Sequence, residues 1–353
     1  MAYWIARSLR SRGFKVVVAG RIDTQVFDGS GIEVFRLRKP FRTKNSSDIR
    51  LLLLLLRLRF RYGEKIVFYS LLINNVKVFR WLRPALKWKC VSFLHGNETL
   101  RLFHKKKGTL RKNLRACQHV FANSRYIMKI VEDLGEFNNI SIVPPGIPVE
   151  RFLNHPTTVH GNPDIASKGK TILMLSRLVR RKGHLTVIKA VASIRSRHPD
   201  IRLVIAGSGP YRTTIEDMIR QEGTEDMVEL PGFVSENDKL DLYASCDIYC
   251  MPSEIDEKNF EVEGFGITFI EASAMGKIVI GTDTGGIPDA IERDRSGFLV
   301  RPGDHAQLAD LLDRIFTDPV SFQPIRNYAR QRALSNFSWD KQINRIIEKL
   351  MAS

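Results

Sequence analysis

Residues 171–183 read TILMLSRLVRRKG, an apolar stretch that passes directly into a basic loop ending in glycine. The first five residues are a short apolar run that predicts a buried strand, and the pattern over 183–197 predicts a helix after the loop. One strand, one tight loop and one helix make a single unit of an α/β fold. The same order recurs on both sides of this stretch.

The repeats of that order predict two parallel sheets. In the first half, strands are predicted at 15–19, 65–69, 90–94, 119–122 and 140–143, and helices at 1–12, 47–62, 75–88, 108–117 and 124–134. In the second half, the predicted strands after the one at 171–175 are 201–206, 227–230, 248–250, 278–281 and 298–300. The further helices there are 211–222, 236–245, 267–275 and 304–317, and two more close the chain. Alternation at this spacing favours doubly wound, Rossmann-like sheets covered on both faces.

A seam rich in proline and glycine, between 144 and 170, divides the chain. It predicts an N-terminal domain over 1–150 and a C-terminal domain over 151–353, the size expected for two domains. The last helix, at about 339–350, is expected to pack back on the N-terminal domain. Parallel sheets bind ligands at the carboxyl ends of their strands, so two such domains are expected to face each other across a binding cleft.

The excess positive charge lies in the first half of the chain. Residues 1–150 hold 29 Lys and Arg against 10 Asp and Glu, whereas residues 151–353 hold 26 against 28. Such a surface attracts an anionic membrane or a phosphorylated carrier. Nucleic acid is not expected as a partner, because no nucleic-acid module signature is present and aromatic residues are sparse among the basic ones. A solvated basic face without a specific partner is the alternative.

Neither a spanning helix nor a secretion signal is predicted. The longest strictly apolar run, Leu51–Leu56, has six residues, where a spanning helix needs about 20. The opening residues lack the basic, apolar and small-residue order of a signal peptide. The four cysteines have no metal-binding or redox spacing, so reduced core cysteines and no metal are expected. We therefore expect a cytoplasmic protein, peripheral on the inner face of a membrane.

The strongest functional signal is residues 263–271, EGFGITFIE. Gly264 and Gly266 let the backbone approach a ligand closely, and the helix that begins near Ile267 offers free N–H groups to a phosphate. Glu271 is placed to accept hydrogen bonds from a diol such as ribose, and Glu263 to hold sugar hydroxyls. Acidic residues favoured by the helix dipole are the alternative.

A second signal is the basic loop after the strand at 171–175. Arg177 and Lys182 are predicted at the carboxyl end of this strand, where two fixed cations can neutralise a diphosphate and the charge that grows on it as it departs. Arg180 and Arg181 are interpreted as solvated charge. A basic loop without a ligand is the alternative.

Three weaker signals also follow predicted strands. Gly207 and Gly209 permit a tight turn beside a ligand, although a plain strand-to-helix turn accounts for them equally. Phe233 is a candidate wall for a nucleobase pocket. His95 is a candidate donor to a sugar hydroxyl or phosphate, against the more common structural histidine.

Together these motifs resemble the retaining glycosyltransferases of family 4, which have the two-domain GT-B fold. The resemblance runs from about Val16 to the C-terminus and is densest over 171–303. It implies that Arg177 and Lys182 clamp the donor diphosphate, and that Glu263 contacts the donor sugar. The implied donor-binding residues are Gly207, Gly209, Phe233, Gly264, Phe265, Gly266, Ile267 and Glu271. His95 is similar to the family's N-domain active-site histidine, and no metal or other cofactor is implied.

One departure concerns the start of the chain. Family members begin with a strand and a glycine-rich loop, whereas residues 1–12 already have the pattern of the helix that follows them, ended by Gly13. We favour a sequence that starts late over a defective relative.

The predicted function is transfer of a sugar, with retained configuration, from a nucleoside-diphosphate sugar to an acceptor hydroxyl. Expected acceptors are sugars, lipid-linked sugars or polysaccharides, in bacterial cell-surface polysaccharide, lipopolysaccharide or glycolipid synthesis. The alternative is a catalytically silent GT-B relative that only binds a nucleotide sugar or a partner. A GT-B epimerase shares the architecture, but the paired glutamates with the Arg/Lys clamp fit transfer better. The motifs do not specify the sugar or the nucleotide.

Overall fold

A computed structural model describes residues 2–20, 27–36, 46–63, 67–155 and 170–351. Its contacts divide the chain into two compact units. Unit 1 is Met1–Gly146 together with Trp339–Ser353, and unit 2 is Ile147–Ser338. The seam predicted between 144 and 170 lies partly outside the described residues, since 156–169 are not among them.

Unit 2 is built on one six-stranded parallel sheet. Its strands are β7 (Lys170–Leu175), β8 (Ile201–Ala206), β9 (Val228–Gly232), β10 (Ile248–Cys250), β11 (Ile278–Thr282) and β12 (Phe298–Val300). They lie in the order β12-β11-β10-β7-β8-β9. The chain thus runs outward from β7 to one edge and returns beside β7 to build the other half. This is a doubly wound sheet whose order reverses between β7 and β10.

Helices cover both faces of this sheet. They are α7 (Val149–Leu153), α8 (His184–Ile194), α9 (Arg212–Glu222), α10 (Asp238–Ser245), α11 (Ile267–Ala274), α12 (Ile287–Ala290), α13 (His305–Thr317) and α14 (Gln323–Asn336). Successive residues of β7 enter different cores: Ile172 and Met174 pack with α8 and α13, and Leu173 packs with α10 and α11. Burial on both faces is the reason that these strands are so rich in apolar residues.

Unit 1 contains two parallel sheets. β1 (Val17–Gly20) pairs with β2 (Glu33–Arg36), and a second sheet has the order β3 (Val67–Ser70), β4 (Lys89–Leu94), β5 (His119–Ala122) and β6 (Ile140–Ile142). The helices are α1 (Ala2–Ser11), α2 (Ser46–Tyr62), α3 (Val76–Leu86), α4 (Gly96–Lys105), α5 (Lys107–Ala116), α6 (Arg125–Glu132) and α15 (Trp339–Met351). The last helix packs on this unit: Ile343 shares a core with Ile5 and Phe93, and Asp340 accepts a hydrogen bond from Ser8 at 2.6 Å.

The α/β class and the parallel, doubly wound sheets are confirmed. All eleven predicted strands are present, and four of them, at 119–122, 201–206, 248–250 and 298–300, have the predicted bounds. The prediction omitted β2, α4, α7 and α12. The four cysteines are buried and free, as expected. Among the described helices, none combines the length and apolarity that crossing a bilayer requires.

Candidate functional site

The candidate site of unit 2 lies at the carboxyl ends of β7 and β10. These neighbours are the point where the strand order reverses, and crevices in open parallel sheets form outside the carboxyl ends at such a point. The loop after β7 carries Arg177 and Lys182, and the segment after β10 carries Glu263. Residues far apart in the sequence are therefore brought to one edge of the sheet.

Lys182 is buried by the shape of its loop. Residues 180–182 form a single 3₁₀ turn, and Gly183 follows with φ +74°. A Cβ at Gly183 would lie 2.2 Å from the carbonyl oxygen of Pro252, so only glycine fits between these two loops. The turn aims the Lys182 ammonium inward, where Nζ lies 2.6 Å from Glu263 Oε2 and 3.2 Å from Met251 Sδ.

Glu263 is held as an ionised carboxylate by two cations. Besides Lys182, the Arg181 guanidinium lies 3.4 Å from the same oxygen, Oε2. Burial raises the pKa of Glu263, but the charges of Lys182 and then Arg181 outweigh it, and the net pKa lies below its ordinary value. Burial also lowers the pKa of Lys182, which Glu263 offsets only in part. The prediction that Arg181 is solvated charge is wrong, because its side chain is 12% exposed and faces two carboxylates.

Glu271 has two partners that the sequence did not indicate. It lies on α11, with Oε1 2.9 Å from Lys239 Nζ and Oε2 accepting from the Tyr243 hydroxyl at 2.9 Å. Both partners come from α10. The side chain of Glu271 is only 9% exposed, and a buried carboxylate needs such hydrogen-bond and ion-pair partners. A carboxylate has about four acceptor positions, so these two contacts leave capacity for a further donor.

A tyrosine connects the two glutamates. The Tyr249 hydroxyl donates to Thr268 Oγ1 at 2.8 Å and lies 3.6 Å from Met251 Sδ, the atom that Lys182 contacts. Its ring centroid lies 5.8 Å from that of Tyr243, the partner of Glu271. Burial first, and then the charges of Glu263 and Glu271, raise the pKa of Tyr249. The structure therefore brings both carboxylates to one connected cluster.

Arg177 is exposed beside this cluster. Burial lowers the pKa of Lys182 most, and the charge of Arg177 contributes to the same lowering.

Phe233, the predicted wall of a nucleobase pocket, follows β9 and is 80% exposed.

Close packing of the backbone explains why glycines occupy positions 207 and 209 after β8. A Cβ at Gly207, where φ is +137°, would lie 1.8 Å from the carbonyl oxygen of Ser176, and one at Gly209 would lie 2.2 Å from that of Leu178. Both glycines therefore let the loops after β7 and β8 touch. Their contact with a donor stays a prediction.

The residues between Glu263 and Glu271 differ in how far their side chains and backbone are buried. Gly264 and Gly266 are buried, and Gly266 has φ +87° with the Phe269 ring where its Cβ would be. Phe265 is 3% exposed and packs with Phe337 at a centroid distance of 5.8 Å. The Phe265 side chain therefore belongs to the core, and only its backbone is left for the predicted ligand contact. Ile267 is half-buried at the start of α11.

His95 belongs to unit 1, directly after β4 and before α4. Its ring stacks on Phe93 with centroids 6.0 Å apart. Burial lowers the pKa of His95, and a hydrogen bond with the Leu71 backbone opposes this only in part. The ring is therefore neutral at pH 7 and can both donate and accept a hydrogen bond. Its predicted role in a site stays a prediction.

Comparisons with known proteins agree with these observations. The family model described as "Glycosyl transferases group 1" matches residues 157–332, and the one described as "Glycosyltransferase Family 4" matches residues 1–151. A Mycobacterium tuberculosis GDP-mannose-dependent alpha-(1-6)-phosphatidylinositol monomannoside mannosyltransferase is 29% identical over 231 residues, which are 62% of this chain and 58% of that protein. A putative colanic acid biosynthesis glycosyltransferase, WcaL of Escherichia coli, is 28% identical over 60% of this chain and 50% of its own length. The matches thus span 58% and 50% of the lengths of these two curated relatives.

Solved structures share the fold. The crystal structure of Anabaena Alr3699/HepE in complex with UDP and glucose has a TM-score of 0.79 at 21% identity, and covers 100% of this chain and 95% of that one. Sucrose-phosphate synthase from Thermosynechococcus elongatus has a TM-score of 0.81 at 19% identity, covering 99% of this chain and 92% of that one.

Proposed function

Since this chain belongs to the family 4 glycosyltransferases and has their GT-B fold, we propose that it transfers a sugar from a nucleoside-diphosphate sugar to an acceptor hydroxyl. The observation that supports this most is the Glu263 carboxylate. Its side chain is 18% exposed at the switch point of the sheet, and Lys182 and Arg181 hold it ionised through one oxygen. The other carboxylate oxygen of Glu263, Oε1, can then accept hydrogen bonds from the hydroxyls of a sugar.

In this proposal the donor diphosphate binds the cations Arg177 and Lys182 at the carboxyl edge of the sheet of unit 2. Arg177 is exposed next to the buried Lys182, and fixed cations stabilise the negative charge that develops on a departing diphosphate. In this proposal they do the work that a divalent metal does elsewhere, so transfer proceeds without one. Glu271 holds the ribose diol, with Lys239 and Tyr243 fixing the direction of its oxygens.

The proposed reaction retains the configuration of the sugar. The bond from the anomeric carbon to the leaving phosphate oxygen breaks, and the acceptor oxygen bonds to the same face of that carbon. The acceptor proton passes to the departing phosphate oxygen, so atoms and charge balance without a side-chain nucleophile. Arg177 and Lys182 stabilise the leaving diphosphate.

The acceptor is proposed to be lipid-linked or part of a surface polysaccharide, with unit 1 resting on an anionic bilayer on the cytoplasmic side. The mannosyltransferase relative acts on a phosphatidylinositol mannoside, as its name states. In unit 1, α2 exposes Leu53 and Phe60, which are 59% and 91% exposed, and Arg57 lies between them on the same helix face. On the adjacent α3, Trp81 is 58% exposed. Exposed aromatic side chains among arginines suit a bilayer interface.

A donor panel tests the proposed activity. Purified protein is incubated with UDP-, GDP- and ADP-sugars in the presence of EDTA, and both thermal stabilisation and sugar release are measured, because a bound donor raises Tm with its affinity. We expect one donor to raise Tm and to be turned over, with product of unchanged anomeric configuration by NMR. Glu263→Gln should abolish turnover, and Glu225→Gln, at an exposed position in the turn before β9, should not. A donor that binds without turnover would support the silent relative instead, and no stabilisation by any donor would refute the proposal.

Vesicle sedimentation tests the proposed bilayer contact. The protein should sediment with vesicles containing phosphatidylglycerol and much less with neutral phosphatidylcholine. Phe60→Ser should weaken this binding several-fold, whereas Val320→Ser, which removes a 79% exposed apolar residue of unit 2, should not. Equal weakening by the two substitutions would refute a specific docking face on α2.

A further inference from the structure

Arg181 lies between two carboxylates that come from different parts of one segment. Its Nη1 is 3.4 Å from Glu263 Oε2, and its Nε is 3.5 Å from Glu261 Oε2. The second separation is that of an ion pair rather than a directed hydrogen bond. The Arg181 side chain is 12% exposed and that of Glu261 is 21% exposed, so solvent screens these charges less than it screens surface pairs.

The contacts of Glu263 are one-sided. In the described part of the chain, the hydrogen bonds and ion pairs of its carboxylate are all made through Oε2, to Lys182 and Arg181. Oε1 is therefore the oxygen that remains for a ligand. Since Arg181 and Lys182 approach Oε2 together, losing either one changes the direction in which Oε1 points.

Arg181 also fastens the segment that precedes Glu263. We define residues 254–261 as the acidic loop, because it contains Glu254, Asp256, Glu257 and Glu261. The Glu254 N–H donates to the Arg181 carbonyl oxygen at 2.7 Å. Near the other end, Asp256 and Glu261 exchange two backbone hydrogen bonds, of 2.9 and 3.0 Å, which close the loop on itself. One residue thus holds the first residue of the loop through its backbone and the last through its side chain.

We propose that Arg181 is a positioning residue that couples the acidic loop to Glu263, so that the loop sets the direction in which Glu263 meets the donor sugar. The inference rests on the proposed function for its consequence in catalysis, but the coupling itself is a property of the free protein. It assigns the loop to recognition of the sugar part of the donor rather than of the nucleotide.

The charged and titratable groups that face Glu263 are few. The loop after β7 contributes Lys182 and Arg181, and the charge of Arg177 contributes to lowering the pKa of Lys182. The acidic loop contributes Glu261, which contacts Arg181 rather than Glu263. Strand β10 contributes the Tyr249 hydroxyl, and burial is the main cause of its raised pKa. Removing Arg181 therefore leaves Lys182 as the one remaining cation among these that contacts the carboxylate.

The test uses Arg181→Met and the conservative Arg181→Lys, with Arg180→Met as the matched control. Arg180 is the exposed neighbour in the same turn, so its loss changes net charge equally. Two quantities are measured: the carboxyl titration of Glu263 by ¹³C NMR of glutamate-labelled protein, assigned with Glu263→Gln, and kcat and KM for the donor and for the free nucleoside diphosphate as inhibitor. Circular dichroism and Tm establish that each variant is folded.

We expect Arg181→Met to raise the Glu263 pKa and to raise the donor KM about tenfold, the loss that one partly buried charge contact typically causes. Inhibition by the free nucleoside diphosphate should stay within about twofold, and kcat should change less than KM. Arg181→Lys should recover part of both effects, and Arg180→Met should resemble the parent. Combining Glu261→Gln with Arg181→Met should add nothing to Arg181→Met, because the coupling passes through the arginine.

Equal effects of Arg181→Met and Arg180→Met, or additive effects of Arg181→Met and Glu261→Gln, would overturn the inference. If Arg181→Met does not fold, Arg181→Lys against Arg180→Lys decides the question by the same titration. If the parent turns over no donor, the proposed function fails, and the Glu263 titration still decides whether Arg181 controls this carboxylate.

Discussion

Replacing Lys182 by methionine removes the contact on which the candidate site depends most. The ammonium lies 2.6 Å from Glu263 Oε2, and the two side chains are 10% and 18% exposed. Breaking a buried ion pair by removing one partner costs about 3–5 kcal/mol. Arg181 remains 3.4 Å from the same oxygen and offsets part of this, so we expect about 2–3 kcal/mol lower unfolding free energy. For a unit of this size that corresponds to a Tm lower by about 5–10 °C.

The loss should depend on pH in a defined direction. The folded-state pKa of Glu263 lies below its ordinary value, held there against burial by Lys182 and Arg181. Its contribution to stability is therefore present above the pKa of the unfolded carboxyl, and is lost as pH falls through the folded value. The difference in unfolding free energy between the parent and Lys182→Met should be largest near neutral pH and shrink in acid. Denaturant titrations at several pH values measure it.

Catalysis provides the second readout for Lys182→Met. Removing one preorganised charge that stabilises a leaving group lowers kcat by about 10²–10³-fold, and the donor assay described above measures this. Lys112→Met makes the same substitution at an exposed position of α5 and should leave Tm and turnover near the parent values. A Lys182→Met protein with parental Tm, parental pH dependence and parental turnover would refute the reasoning.

Three further predictions concern neighbouring features. Lys239→Met removes the ammonium 2.9 Å from Glu271 and should weaken binding of free nucleoside diphosphate about tenfold by calorimetry; unchanged binding would contradict a ribose contact at Glu271. Gly207→Ala places a methyl group 1.8 Å from a carbonyl oxygen and should prevent folding or lower Tm far more than Gly223→Ala, whose Cβ meets nothing within 4 Å and which should cost about 1 kcal/mol. Burial lowers the pKa of His184 from 6.5 to about 4. As pH falls, His184 is therefore protonated in the unfolded chain before it is protonated in the folded protein. Stability should fall by about 3 kcal/mol as pH drops from 6.5 to 4, and a parental pH profile in His184→Asn would contradict this.

The sheet of unit 2 was predictable because its strands are buried on both faces. The apolar run at 203–206 is too short for a helix, and it passes directly into a glycine-containing loop, which together are typical of a buried parallel strand. The strand β2, Glu33–Arg36, was missed because only Val34 and Phe35, between two charged residues, are apolar, which is too short a run to show a period. The helix α4 was missed for a related reason: it begins at Gly96 after His95, which makes no side-chain capping hydrogen bond that would mark a start.

The site was only partly predictable: the sequence identified Glu263 and Glu271 but not all of the cations that pair with them. A carboxylate that a motif places in a buried position must be paired with a cation or with hydrogen-bond donors, so Glu271 implies a partner without identifying it. The partner, Lys239, lies 32 positions away on α10, and no local spacing connects the two. Only the strand order does, because α10 leads into β10, which lies beside β7 at the switch point. Arg181 shows the converse: its neighbour Lys182 was selected by spacing, but only the contacts with Glu261 and Glu263 distinguish Arg181, 12% exposed, from the exposed Arg180. Motif spacing therefore identifies the residues within one continuous segment of such a site, whereas the topology of the sheet determines the partners that come from other segments, such as Lys239 for Glu271.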